Sequence, residues 1–248
     1  MSHQDSTTGG GPAGFQTTHW SLVLAASQPD SPQAQAALSQ LCHVYWYPVY
    51  AFLRRRGHNA DEAKDLTQEL FCHLIEKRSL EVADREKGRF RSFLLACVQN
   101  LLAKQWQKEH TLKRGGQYSF VPLDEVWAET RYGAEPVDSM SPEKLFERRW
   151  ALTLLDQVME QLQREYAGAG KSAQFEALQV FLSGAKDAPA SYAEVGAQIN
   201  VGENAARQAA YRMRSRFGEL LRMQVAQTVA SPAELEAELS HLRKVLSG

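Results

Sequence analysis

Apolar residues recur every three or four positions along almost the whole chain, and no convincing run alternates apolar with polar residues. A repeat near 3.6 residues is typical of amphipathic helices, whereas a strand with one buried face repeats every two. The clearest stripe comprises Ala63, Leu66, Leu70, Phe71, Leu74 and Ile75. The spacing therefore predicts an all-α fold.

Residue types that favour helix ends indicate where the predicted helices begin. A helix is expected from near Arg89 to about Lys108, and the last helix should end near Leu246. Pro48 should kink or divide the first helix, because proline lacks the backbone N–H that a helix interior needs. The other starts combine a capping residue with glutamate or proline: Asn59 with Glu62, Ser141 with Pro142, Ser191 with Glu194, and Ser231 with Pro232.

Helical periodicity fades between about 110 and 140, where glycine and proline accumulate. Residues 118–140 contain five acidic residues and one arginine. So long a connection either separates domains or has a task of its own. We therefore expect two small helical domains joined by a flexible acidic linker. The predicted divisions are a disordered tail (1–16), a helical domain (17–112), a linker (113–140), a second helical domain (141–228) and a C-terminal helix (229–248).

Residues 191–217 predict a helix-turn-helix: a short capped helix, a break at Val201-Gly202, and a longer helix. In this motif the second helix enters the DNA major groove. Residues 203–222 contain five arginines and two glutamates, a net charge of +3. Arginine can pair with phosphate or read guanine, so this clustering favours DNA binding.

Two further charged segments lie in the first half. Residues 87–114 contain seven cations and one acid, interleaved with aromatic side chains. Such a mixture suits melted DNA, because bases stack on rings while the backbone meets charge. Residues 61–69 carry four acids against one lysine. A negative face would repel phosphate, so it is expected to contact a protein instead.

In this order, the segments resemble the extracytoplasmic-function sigma factors, in particular the longer ECF-like branch, which retain only regions two and four of the sigma family. Residues 41–77 resemble the start of region two, and D-E-A-K-D-L-T-Q-E-L-F at 61–71 resembles its helix that docks on the polymerase clamp. Residues 88–109 resemble the segment that melts the promoter and reads the minus-ten element. Residues 191–217 resemble region four, which reads the minus-thirty-five element. The resemblance runs from about Thr17 to the C-terminus.

The resemblance implies three sets of site residues. Polymerase binding falls to Asp61, Asp65, Leu66, Gln68, Glu69 and Phe71. Promoter melting and minus-ten recognition fall to Arg89, Phe90, Arg91, Phe93, Asn100, Lys104, Trp106 and Lys108. Minus-thirty-five recognition falls to Asn204, Arg207, Gln208, Tyr211, Arg212, Arg214 and Arg216.

The implied partners are core RNA polymerase and promoter DNA, both duplex and melted, with an anti-sigma factor or another regulator as a further candidate. No catalytic residue, metal or cofactor is implied, because nucleotide addition belongs to the polymerase. The linker would thread toward the polymerase's RNA channel. The chain departs from the family pattern in having no arginine at 103–109, where the family usually has several. It also departs at Gln208 and Tyr211, where apolar residues or histidine are expected.

Two other classes of function would use only part of these features. A helix-turn-helix regulator would use residues 191–217 but would need neither the acidic face nor the aromatic and basic segment. An enzyme is disfavoured, since the chain lacks a Gly-rich phosphate loop. His43 and His73 near Cys42 and Cys72 lack metal-ligand spacing. We expect the three cysteines to be free thiols in a reducing cytoplasm, with neither a signal peptide nor a membrane span.

Overall fold

The computed structural model describes residues 32–76, 89–109, 125–134, 140–182, 191–226, 229 and 232–247. The expected all-α fold is confirmed in this part of the chain. The helices are α1 (Pro32–Arg55), α2 (Ala60–Glu76), α3 (Phe90–Glu109), α4 (Glu125–Gly133), α5 (Pro142–Gly168), α6 (Ser172–Leu178), α7 (Tyr192–Gln198), α8 (Glu203–Ala226) and α9 (Pro232–Ser247). A 3-10 turn, Gln179–Phe181, follows α6.

Helix α1 is the central helix of the first half. Residues 44–53 are buried without interruption, which is the pattern of a helix surrounded by protein on all sides. It packs most extensively against α5, and also against α2. Pro48 does not divide the helix as predicted, since α1 continues through it from Pro32 to Arg55. Burial on all sides outweighs the local cost of the missing N–H.

The predicted helix starts are confirmed by their hydrogen bonds. The amide of Glu62 donates to Asn59 Oδ1 at 2.9 Å, and the Asn59 amide donates to Glu62 Oε2 at 3.1 Å. Ser191 and Glu194 form the same reciprocal capping box at the start of α7. At the start of α5 the Lys144 amide donates to Ser141 Oγ at 3.3 Å. The tail at 1–16 and Ser231 lie outside the described residues.

Two hydrophobic cores share one helix. The first core contains residues of helices α1, α2, α3 and α4 and of the N-terminal half of α5, including Phe146 and Trp150. One buried residue of α8 and two of α9 also belong to it. The second joins the C-terminal half of α5, including Val158 and Leu162, with α6, α7 and α8. The first core therefore takes residues from both sides of the division predicted near residue 140.

Part of the predicted linker is helical and packed. Ala128 of α4 is fully buried in the first core. Glu129 accepts hydrogen bonds from Arg54 Nε at 2.8 Å and Arg54 Nη2 at 3.0 Å, and also from the Tyr50 hydroxyl. The linker prediction is thus wrong for residues 125–133, because a nine-residue stretch supplies one buried alanine and one glutamate that pairs with α1. Of the rest of the predicted linker, residues 113–124 and 135–139 lie outside the described residues.

Candidate polymerase-binding and DNA-binding surfaces

Helix α2 has an acidic face that points away from the core. Asp61 and Asp65 are exposed, and Gln68 and Glu69 are half-buried. Asp65 is four residues from both Asp61 and Glu69 and three from Gln68, so the four positions lie on one side of the helix. Ala63 and Leu70 face the opposite way, into the core. The outward side can therefore meet a protein partner through carboxylate and amide groups.

Two residues of the predicted polymerase-binding set face inward instead. Leu66 is 4% exposed and Phe71 is 6% exposed, and both belong to the first core. A direct contact with a partner is closed to them in this structure, because their side chains are already covered. They can contribute to such a surface only by fixing how α2 sits on α1.

Helices α7 and α8 form the predicted helix-turn-helix, and two residues set the turn between them. Gly196 lies at the crossing, where an added Cβ would be 2.7 Å from the Val201 carbonyl oxygen and 3.5 Å from the Ala206 Cβ. Asn200, with φ of 55°, supplies the left-handed turn residue. The sequence pointed to Gly202 for this role, but Gly202 has open space around it and no positive φ.

The outward face of α8 carries the predicted minus-thirty-five residues. Asn204, Arg207, Gln208 and Tyr211 are all exposed at helical spacing, and Tyr211 is 72% exposed. Arg207 pairs with Glu203 at 2.8 Å on the surface. This face offers amide, guanidinium and phenol groups to a groove-sized ligand, the mixture that reads base edges in duplex DNA.

Three arginines of α8 differ in their surroundings. Arg212 is exposed. Arg214 is also exposed and donates to the Tyr192 hydroxyl at 2.6 Å, linking α8 to α7. Arg216 faces α5, where it donates to both Glu165 oxygens at 2.8 Å. It also donates to Glu219 of its own helix at 2.9 Å. The Arg216 guanidinium lowers the pKa of Glu165. Arg216 therefore anchors the helix-turn-helix to α5, which differs from its predicted role in DNA contact.

The exposed face of α3 carries part of the predicted minus-ten set. Asn100 and Lys104 are exposed one turn apart, and Phe93 is half-buried against the first core. The side chains of Trp106 and Lys108 lie outside what the structure describes.

Side chains of α5 and α9 together cover the start of α3. Arg91 is only 2% exposed, and its guanidinium lies 4.4 Å from the centroid of the Trp150 ring. It pairs with Glu238 of α9, which is fully buried, and its Nε lies 2.9 Å from Glu147 Oε2. Arg89 Nε lies 2.8 Å from the same Glu238 carboxylate. Arg91 is therefore not accessible to DNA in this structure, contrary to its predicted role.

Phe90 is buried as well, at 4% exposure, edge-on against Tyr45 with ring centroids 5.3 Å apart. Its predicted contact with DNA is closed for the same reason as that of Arg91: the ring is part of the core. Thus the first turn of α3 presents core residues and paired arginines, whereas its later turns present polar side chains to solvent.

One comparison with known proteins matches part of the first half of the chain. Residues 46–111 match the family model for sigma-70 region 2. This segment of the chain is similar to region 2 of the sigma-70 family. No curated protein and no solved structure gives a significant match to the chain.

The region 2 match extends from within α1 through α2 and the whole of α3. It includes the acidic face of α2 and both exposed and covered residues of α3. A sigma-70 region 2 binds core RNA polymerase and takes part in promoter melting, and it belongs to a family without enzymatic activity. The helix-turn-helix of α7 and α8 lies outside the matched residues.

Sequence reasoning missed the residues that cover region 2. Glu238, Glu147 and His241 form a connected group, in which His241 Nε2 lies 2.8 Å from Glu147 Oε2. A signal was present: Glu238 falls on the apolar stripe of its helix beside Leu239, and Arg91 falls on the stripe of α3. Two opposite charges at core positions of different helices indicate that the two helices pair.

No cluster of three or more potential metal ligands occurs among the described residues. Cys42, Cys72 and Cys97 are free thiols and half-buried, and burial raises the pKa of Cys42 to about 12. No helix in the described ranges is long and apolar enough to cross a membrane.

Proposed function

We propose that this chain is an ECF-like sigma factor of the bacterial cytoplasm. It binds core RNA polymerase through the acidic face of α2, reads and melts the minus-ten region with α3, and reads the minus-thirty-five element with α8. An anti-sigma factor or another regulator is a further partner in this proposal.

The observation that carries the proposal is the combination of a region 2 match with a separate basic helix-turn-helix in one chain. A factor that reads two promoter elements needs two DNA-binding units. The exposed Asn204, Arg207, Gln208 and Tyr211 supply the second unit with groups that can read base edges. The acidic face of α2 supplies a surface that DNA would repel and a protein can accept.

Polymerase binding is tested with the purified full chain and core RNA polymerase on gel filtration, with the primary sigma factor as competitor. Asp65→Lys reverses one charge on the α2 face. Like charges placed across an interface cost several kcal/mol, so the variant should compete at least about tenfold less well. Glu176→Lys, which makes the same charge change at an exposed position of α6, should compete like the wild type.

Stoichiometric binding that the primary sigma factor displaces supports the proposal. Absence of binding, with affinity for duplex DNA retained, would instead leave a helix-turn-helix regulator. Equal competition by Asp65→Lys and the wild type would remove the α2 face from the polymerase interface.

Minus-thirty-five recognition is tested by Arg207→Ala in the reconstituted holoenzyme on duplexes that vary one base pair at a time. Loss of a base contact should cost about 1–3 kcal/mol and relax the preference at one position. An equal loss on every duplex would make Arg207 a phosphate contact. Arg164→Ala on α5 is the matched control, since Arg164 is an exposed arginine paired one turn away with Glu160.

A further inference from the structure

The C-terminal helix α9 packs against α5 and α8, and its Glu238 reaches the arginines at the start of α3, the end proposed to contact melted DNA. Its inner side contributes Leu239 and Leu242 to the first core, while Glu234 and Glu236 are exposed. Glu238 also faces inward and is fully buried, which is unusual for an ionisable side chain. The reason for its burial is found on α3.

Glu238 joins two arginines through one carboxylate. One oxygen pairs with Arg91, and the other lies 2.8 Å from Arg89 Nε and 3.4 Å from Arg91 Nη2. Glu147 provides the second carboxylate for Arg91. Two cations thus face two anions, so the group is balanced as long as α9 stays in place.

A guanidinium group binds a carboxylate and a phosphate with the same paired geometry. Glu238 therefore occupies positions around Arg89 and Arg91 that backbone phosphates of DNA can take. The choice of charge here is informative, because a buried ion pair holds a helix no better than apolar residues of similar size. A charge pair, unlike an apolar contact, allows a competing anion to displace α9 from the arginines.

We propose that α9 is an autoinhibitory latch that occupies the DNA-contacting arginines of region 2 in the free protein. Release of α9 frees both arginines from Glu238, and phosphates of the melted strand take its place, while Arg91 keeps its contacts with Glu147 and Trp150 of α5. The latch rests on the proposed role of the start of α3 in DNA binding. It keeps the free factor from binding nucleic acid until α9 is displaced.

Glu238→Gln in the full chain tests the latch. The amide is close in size to the carboxylate, and Arg91 keeps Glu147 as a partner. Fluorescence anisotropy with a single-stranded oligonucleotide of mixed sequence should show binding at least about tenfold tighter than the wild type, because the open population rises. Two added phosphate contacts should also steepen the salt dependence of log K by about 1.4. Glu176→Gln, the same change at an exposed position of α6, should match the wild type.

Arg89→Ala, made in the wild type and in Glu238→Gln, separates the two proposals. A loss of affinity confined to the Glu238→Gln background supports the latch. Equal affinity of Glu238→Gln and the wild type, with Arg89→Ala weakening both, overturns the latch and retains the DNA role. No effect of Arg89→Ala in either background overturns both, while polymerase binding through α2 remains testable separately.

Hydrogen exchange of the wild type provides a measurement that needs no variant. Amides of residues 232–247 should exchange faster once saturating oligonucleotide is added. Unchanged or slower exchange would show that α9 stays in place on DNA and would overturn the latch.

Discussion

Gly196→Ala should disrupt the crossing of the helix-turn-helix. Alanine is normally favoured over glycine inside a helix by about 1 kcal/mol. Here the added Cβ would lie 2.7 Å from the backbone oxygen of Val201, too close for an atom that cannot rotate away. That oxygen belongs to the turn closed by the 2.8 Å hydrogen bond from the Val201 amide to the Gly196 carbonyl. Forcing the turn outward should cost about 1–3 kcal/mol net of the helix preference.

Thermal unfolding followed by far-UV circular dichroism would measure this loss, at about 2–4 °C for each kcal/mol in a chain of this size. Gly218→Ala is the matched control, because Gly218 lies in α8 with nothing within 4 Å of an added Cβ. It should stabilise the protein by about 0.5–1 kcal/mol. The reasoning is refuted if Gly196→Ala stabilises the protein as Gly218→Ala does.

Three further outcomes are expected. Hydrogen bonds from Arg54 lower the pKa of Glu129. The ionised carboxylate therefore stabilises the fold fully above its ordinary pKa, and this stabilisation is lost as the pH falls through the lowered pKa. Glu129→Gln should flatten the acid side of a plot of unfolding free energy against pH. Arg216→Ala should lower the melting temperature without changing base preference in a duplex-binding assay, whereas a change in preference would restore it to the DNA surface. Burial keeps the Cys42 thiol protonated at neutral pH, so it should react with iodoacetamide far more slowly in native protein than in urea.

Local signals in the sequence predicted most of the helices. The capping pairs Asn59 with Glu62 and Ser191 with Glu194 form within three residues of each other, so no long-range contact is needed to form them. The fate of Pro48 could not be predicted in this way. A proline breaks an isolated helix, but α1 is enclosed by other helices that hold it together on both sides of that residue.

The candidate surfaces were predictable where exposure follows from helical spacing. The outward positions of Asp61 and Asp65, and of Arg207 and Tyr211, agree with the stripes on their helices. The direction of Arg91 was not predicted, because its partner Glu238 lies 147 residues away in sequence. The two charges on apolar stripes are a signal that such a pair exists, but the packing of α9 is needed to show which residues form it.

The shared helix α5 has a practical consequence for anyone who divides this protein into fragments. Its N-terminal half supplies Leu145, Phe146, Trp150 and Leu154 to the core that also contains region 2. A fragment that ends within the acidic linker would lack α5 and so expose the apolar residues of α1 that α5 covers. Exposed apolar patches of this kind promote aggregation. The sigma-70 match ends at residue 111, but the α5 residues of this core continue to Leu154.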